Sequence, residues 1–159
     1  MKDNLEPNWL LTNPLHNLWI LLSHTAYALG RQREIELAKI GMSIEKHAIL
    51  HILMIQDGRN IADIAAVRLR QHNTIFLLIN RMEKQKLVKK LKNAKSKEYR
   101  IFITAQGREV YRAATMKSLE ATFSALSTED QQKLSQSLKL LLMRSLSLQG
   151  FDYRLPFLL

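Results

Sequence analysis

The sequence predicts a mainly α-helical chain with a small β-hairpin, arranged as a winged helix-turn-helix between longer helices at either end. Three observations carry that expectation. The 159 residues include only five Gly and three Pro, which suits long helices with few turns. Apolar residues recur at three- and four-residue spacing along much of the chain. Two short amphipathic segments flank one polar break and are followed at once by two strand-like runs.

The first helix spans residues 15–39, with Leu15, Leu18, Trp19, Leu22, Ala26 and Leu29 on one face. It is entered through Asn13-Pro14 and stops before Gly41, a residue suited to a C-terminal cap. Ser43 opens the second helix as N-cap, but Lys46 stands where a capping box needs Glu, so half of that motif is missing. Ile44, Ala48, Leu50, Ile52, Leu53 and Ile55 give this helix its apolar surface, and Gln56-Asp57-Gly58 closes it as a turn. Residues 61–69 place Ile61, Ile64, Ala65 and Leu69 together; Arg70-Gln71-His72-Asn73 is the break; residues 74–85 follow with Ile75, Leu78, Ile79 and Met82 in helical register. Residues 87–92 and 99–104 read as short strands around a polar, basic loop at 93–98. Thr104 is the expected N-cap of one long helix reaching about Leu126. Thr128 with Gln131 then matches a capping box for a last helix carrying Leu134, Leu138, Leu141 and Leu142. The tail, residues 150–159, is unusually apolar.

Composition narrows the function classes. The chain carries 24 Lys+Arg against 14 Asp+Glu, a net charge of +10, with 47% hydrophobic residues, which is globular and not a disordered basic tail. The absence of Cys excludes a disulfide scaffold, a thiolate zinc site, a catalytic Cys and a thiol redox switch. No apolar run approaches the ~20 residues that span a bilayer, and residues 1–12 carry acids and lack a signal peptide's order, so the expected location is the cytoplasm. The basic excess points to a polyanion. Residues 84–100 hold eight basic side chains against Glu98 alone, a net +7 of the chain's +10. A basic segment divided into strands and a loop, with no apolar companion face, argues against a membrane surface and for nucleic acid.

A helical wheel with Ile75 at zero gathers Ile75, Leu78, Ile79 and Met82 toward the core. Asn73, Leu77, Asn80 and Lys84 then face outward, with Thr74, Phe76 and Arg81 on the flanks. The second helix of a helix-turn-helix enters the major groove, so this face and Gln71 just before it are the candidate base-reading surface. Asn73 and Asn80 suit bidentate contacts to adenine, and Leu77 suits a thymine methyl. No Arg sits at the centre of the face, so an A·T-rich target is expected. The competing reading of Leu77 and Phe76 is packing against a neighbouring helix. Arg81 and Lys84 are candidate phosphate contacts, as are Lys92, Lys95 and Lys97 on the wing.

These residues resemble a known family. Leu18-Trp19-x-Leu21-Leu22, Ile64-Ala65, the run Asn73-Thr74-Ile75-x-x-Leu78-Ile79-x-Arg81-Met82-Glu83-Lys84 with Leu87-Val88, and Ile103-Thr104-x-x-Gly107 are similar in order and spacing to the MarR family of multiple-antibiotic-resistance type regulators. The resemblance covers residues 10–146. It implies a single MarR-like domain over 1–159, with a winged helix-turn-helix at 44–104 and dimerisation helices at 10–40 and 105–159. It implies a homodimer binding a double-stranded pseudo-palindrome, and a repressor released by a small aromatic or phenolic ligand held between the two parts. The apolar tail would pack on the partner subunit. Where the family's wing commonly carries Asp-x-Arg, this chain has Lys95-Ser96-Lys97, which implies a more purely electrostatic wing contact. The missing Cys excludes the thiol-based peroxide-sensing branch.

His47 and His51 stand i, i+4 on the second helix. One reading is a zinc-responsive regulator, with His16 and His24 as possible further ligands. A second is an organic-ligand pocket of Trp19, Ser23, Tyr27, His47 and His51. A third is plain polar packing. No Gly-rich phosphate loop, nucleophile elbow or suggestive carboxylate pair is present, so neither an enzyme nor a resident cofactor is expected. A ligand-independent architectural DNA binder remains the other alternative.

Overall fold

The computed structural model describes residues 13–92 and 98–150. Helix α1 (Pro14–Ala38) starts as its sequence dictates: Asn13 Oδ1 accepts from the backbone N–H of Leu15 (2.9 Å) and His16 (3.4 Å), with Pro14 in the first turn. Gly41, at φ +71°, turns the chain so that the Met42 N–H reaches back to the Leu37 carbonyl, and both side chains are buried. Helix α2 (Ile44–Ile55) has its first turn capped by Ser43, whose Oγ accepts from Lys46 N–H. The acid missing from its capping box is replaced from outside, because Glu34 of α1 accepts from Ile44 N–H at 3.2 Å.

Asp57 organises the turn out of α2. Its Oδ1 accepts from Gly58 N–H and from Ile103 N–H, and its Oδ2 pairs with Arg108 at 2.7 Å. Gly58 is needed twice over: its φ is +74°, and a Cβ there would lie 2.9 Å from the Phe102 ring. Strand β1 (Arg59–Asn60), helix α3 (Ile61–Val67), helix α4 (His72–Lys84), β2 (Val88–Lys92) and β3 (Tyr99–Ile103) come next. The antiparallel sheet has the order β1-β3-β2, with Arg59 opposite Ile101 and Val88 opposite Ile103. The two-residue β1 was not foreseen, being too short to show any periodicity. One apolar core joins Ile49, Leu50 and Leu53 of α2, Ile64 of α3, Ile75, Ile79 and Met82 of α4, and Val88 and Ile101 of the sheet.

Three sequence expectations are corrected. The helix expected to run unbroken from Thr104 to Leu126 is two helices, α5 (Ala105–Ala113) and α6 (Lys117–Phe123). Ala114 is extended (ψ 117°), and the break is held by α1: Glu36 accepts from the Thr115 and Ser118 hydroxyls and from Ser118 N–H, so it caps α6 from 82 residues away. Helix α7 (Thr128–Leu148) is capped one residue earlier than expected. Ser127, not Thr128, accepts from Asp130 N–H, and its hydroxyl donates to Asp130 Oδ2; Gln131 instead donates to the Phe123 and Leu126 carbonyls. Helix α4 begins at His72, so Asn73 lies within its first turn and not in the break before it.

Candidate nucleic-acid interface

Helix α3 and α4 meet through a turn in which Leu69 takes the left-handed conformation, φ 51°. The first residues of α4 carry no acid and its last turn carries Arg81 and Lys84. Gln71 is the N-cap by backbone conformation, yet its side chain makes no capping bond. Ile75, Ile79 and Met82 are fully buried and Leu78 packs partly against them, as the wheel requires. Asn73, Thr74, Leu77, Arg81 and Lys84 are exposed, as is Gln71, forming one outward polar strip interrupted only by Leu77. Leu77 is 46% exposed and faces solvent, which favours the outward reading over packing. Phe76 lies at the flank, with the Lys90 ammonium 6.0 Å from its ring centre.

Asn80 differs from its outward neighbours. It is half-buried, and its Oδ1 accepts from Lys90 Nζ at 2.6 Å. Lys90 also pairs with Glu83 Oε2 at 2.8 Å. Neither the role of Lys90 nor that of Glu83 was foreseen. The signal was present: strand alternation sets Lys90 on the face of buried Val88, and Glu83 is the lone acid in residues 74–97. Lys92 is exposed at the end of β2, while Lys95 and Lys97 lie outside the described residues. Arg100 on β3 donates to the Gly58 carbonyl at 2.9 Å, which ties the wing's root to the α2 turn. Arg68 and Arg70, next to α4, share Glu45 at 3.0 and 3.1 Å. Burial alone would raise the Glu45 carboxyl, but the two guanidinium groups outweigh it and hold its pKa below the ordinary value.

The structure does not bring together the five residues expected at a ligand pocket. His47 and His51 both stack on Tyr111 of α5, with centroids 5.1 and 5.9 Å apart, and His51 Nδ1 lies 2.7 Å from the Tyr111 hydroxyl. Buried Arg33 of α1 sits behind them, its Nη2 3.4 Å from His47 Nε2. Arginine has no acceptor, so that nitrogen of His47 is unprotonated. Burial first, then Arg33 and His51, push the His47 pKa down to about 4. Trp19 instead lines a cleft of about 590 Å³ with Leu15, Leu18 and Leu22 of α1 against Leu138, Leu141 and Leu142 of α7. Ser23 bonds back to the Ile20 carbonyl, and Tyr27 is exposed. Arg33 also pairs with Glu36 at 2.8 Å and donates to the Thr115 carbonyl, beside a groove of about 670 Å³ between α1 and α6. Among the described residues, no three of His, Asp or Glu converge as a metal site would require, and no helix is long and apolar enough to cross a membrane.

A helix-turn-helix with a three-stranded wing, set between long outer helices, is the fold of the MarR-type transcriptional regulators, and solved structures bear this out. No protein-family model and no curated protein matches the sequence. The organohalide-sensing transcriptional regulator RdhR-CbdbA1625, ligand-free, is similar over 97% of this chain and 100% of its own, with 24% identity and a TM-score of 0.79. The same regulator bound to 2,4-dichlorophenol gives the same identity and score, over 99% of its own length. A cysteine-to-serine variant of E. coli MarR complexed with operator DNA is similar over 83% of this chain and 98% of its own (14% identity, TM-score 0.76). A DNA complex of S. aureus MepR covers 79% and 96% (22% identity, TM-score 0.72).

Proposed function

We propose that this chain is a sequence-specific double-stranded-DNA-binding transcriptional regulator of the MarR family, acting as a homodimeric repressor released by a small aromatic or phenolic ligand. The observation that carries the reading is the outer face of α4: Asn73, Thr74, Leu77, Arg81 and Lys84 are exposed together, while the opposite face is buried in the core. A helix anchored on one side and polar on the other, beside a basic wing, suits major-groove entry. Residues 44–104 would form the DNA-reading part, with Gln71 and Lys92 among its contacts. Lys95, Lys97 and the apolar tail lie outside the described residues.

The outer helices support the dimer. Leu15, Trp19 and Leu21 of α1 and Leu140 of α7 are each more than 60% exposed, more apolar surface than a lone subunit keeps in water. The effector would bind between the reading part and the outer helices. There His47, His51 and Tyr111 offer stacked rings and hydrogen-bonding groups to a phenol, and one similar structure is a regulator bound to 2,4-dichlorophenol. The test has two stages. Selection from a randomised duplex library should enrich an inverted repeat, protected by the dimer, with A·T pairs under α4. A thermal-shift screen of small aromatics should then find compounds that raise the melting temperature and release that duplex. Enrichment of no inverted repeat refutes the reading.

A further inference from the structure

Eight basic side chains crowd residues 84–100, yet Lys90 is not free to act as one more phosphate contact. Its ammonium is held by Asn80 Oδ1 at 2.6 Å and Glu83 Oε2 at 2.8 Å, with the Phe76 and Tyr99 ring centres 6.0 and 5.9 Å away. Its own backbone N–H donates to Glu83 Oε1 at 3.1 Å, so Glu83 pins the residue at both ends. An ammonium has three donors and no acceptor, so the Asn80 atom facing it is the carbonyl oxygen, and the carboxamide has one orientation. The bond is short and charge-assisted.

Asparagine recognises adenine when its carbonyl accepts from the N6 amino group while its amide donates to N7. In this protein Lys90 takes one lone pair of the Asn80 carbonyl, and its positive charge at 2.6 Å opposes a second donor such as the adenine amino group, so the amide N–H donors are the end left for a ligand. Guanine, adenine and thymine each show an acceptor in the major groove, whereas cytosine shows only its N4 amino donor. We infer that Lys90 is a positioning residue for base recognition, turning Asn80 from an adenine reader into a donor-only reader that admits guanine, adenine or thymine and rejects cytosine. The inference rests on the DNA-binding function proposed for α4 and refines its A·T expectation: Asn73, exposed in the first turn, keeps the adenine role, and Asn80 loses it.

The test runs the duplex selection with the wild-type protein, Lys90→Met and Lys90→Arg. The wild type should deplete cytosine at one position in each half-site while admitting the other three bases. Lys90→Met, which frees the carbonyl, should narrow that position to adenine by about 5-fold or more, the lower end for one bidentate contact. Lys90→Arg keeps a donor and should keep the wild-type profile. An adenine-only position in the wild type, an unchanged profile in Lys90→Met, or a uniform loss of preference in both variants overturns the inference. A second measurement needs no DNA: the Asn80 side-chain carboxamide signals in NMR spectra of the free protein should shift in Lys90→Met and stay in place in Lys90→Arg. Unmoved signals in Lys90→Met also overturn it. If the wild type enriches no sequence while the carboxamide responds, the DNA-binding reading has failed and the Lys90–Asn80 contact has not.

Discussion

Gly107→Ala tests the joint that fixes the wing to α5. Gly107 lies in the first turn of a helix, where Ala is ordinarily better by about 1 kcal/mol. Here a Cβ would stand 2.1 Å from the Leu87 carbonyl oxygen and 2.9 Å from Ile103 Cγ1. The oxygen is backbone and cannot swing aside. It also accepts from the Thr104 N–H at 3.1 Å, so a retreat to the ordinary 3.4 Å contact strains that hydrogen bond. Losing that bond at about 1 kcal/mol, with about 1–3 kcal/mol of overpacking and the propensity gain of about 1 kcal/mol set against them, leaves a net loss of about 1–3 kcal/mol. For a chain of this length that lowers the melting temperature by roughly 2–12 °C. Thermal unfolding followed by circular dichroism, with urea midpoints as a check, reads the difference. A Gly107→Ala protein that melts at or above the wild-type temperature would refute the close-approach argument.

Other perturbations have equally definite outcomes. His47 stays neutral in the fold down to about pH 4, whereas an unfolded histidine titrates near 6.5. Between those values the unfolded chain binds the extra proton, so stability falls as pH drops from 6.5 toward 4; urea midpoints at pH 7 and 5 should diverge in the wild type and converge in His47→Gln. Glu36, lowered to about 2 by hydrogen bonds from Ser118 and Thr115 and then by Arg33, loses its contribution only below about pH 4.5, outside that comparison. Lys86→Gly should raise stability by about 0.5–1 kcal/mol, because Lys86 is exposed and held at φ 59°, and a lowered urea midpoint would count against strain there. Lys84→Ala should weaken binding to any duplex and reduce the slope of log affinity against log salt by about one, with no change in base preference. An altered preference would make Lys84 a base reader.

Helix α4 was legible because its signal is local. Ile75, Leu78, Ile79 and Met82 repeat at the helical period within eight residues, and the core accepts that face unaltered. The hairpin strands were legible for the same reason. The break at Ala114 was not, because nothing in residues 110–118 opposes a helix; the cause is Glu36, brought in from α1. The N-cap slipped by one residue because Ser127 and Thr128 are both cap formers, and only the orientation of the first turn decides between them. At the candidate site, exposure of Asn73, Leu77 and Lys84 followed from the wheel. The wheel treats a helix as isolated, however, and so could not show that β2 takes the carbonyl of Asn80. The histidines were noticed for their spacing, but their common partner, Tyr111, lies 60 residues beyond His51.

The capping of α6 by Glu36 also orders assembly on the ribosome. The elements between α2 and α5 find their partners within some seventy residues of sequence, so they can close soon after the chain emerges. The N-terminal part of α1 waits. Its Leu37 end seats on α2 early and Arg33 can meet His47 and Glu36, but the bonds to Thr115 and Ser118 span 82 residues each. Loop closure over that distance comes late, so the joint between α1 and α6 forms after the core. Helix α1 is thus the first of the described helices to be made and among the last to be fixed, and a chain stalled before residue 115 lacks the contacts that hold α1 to α6.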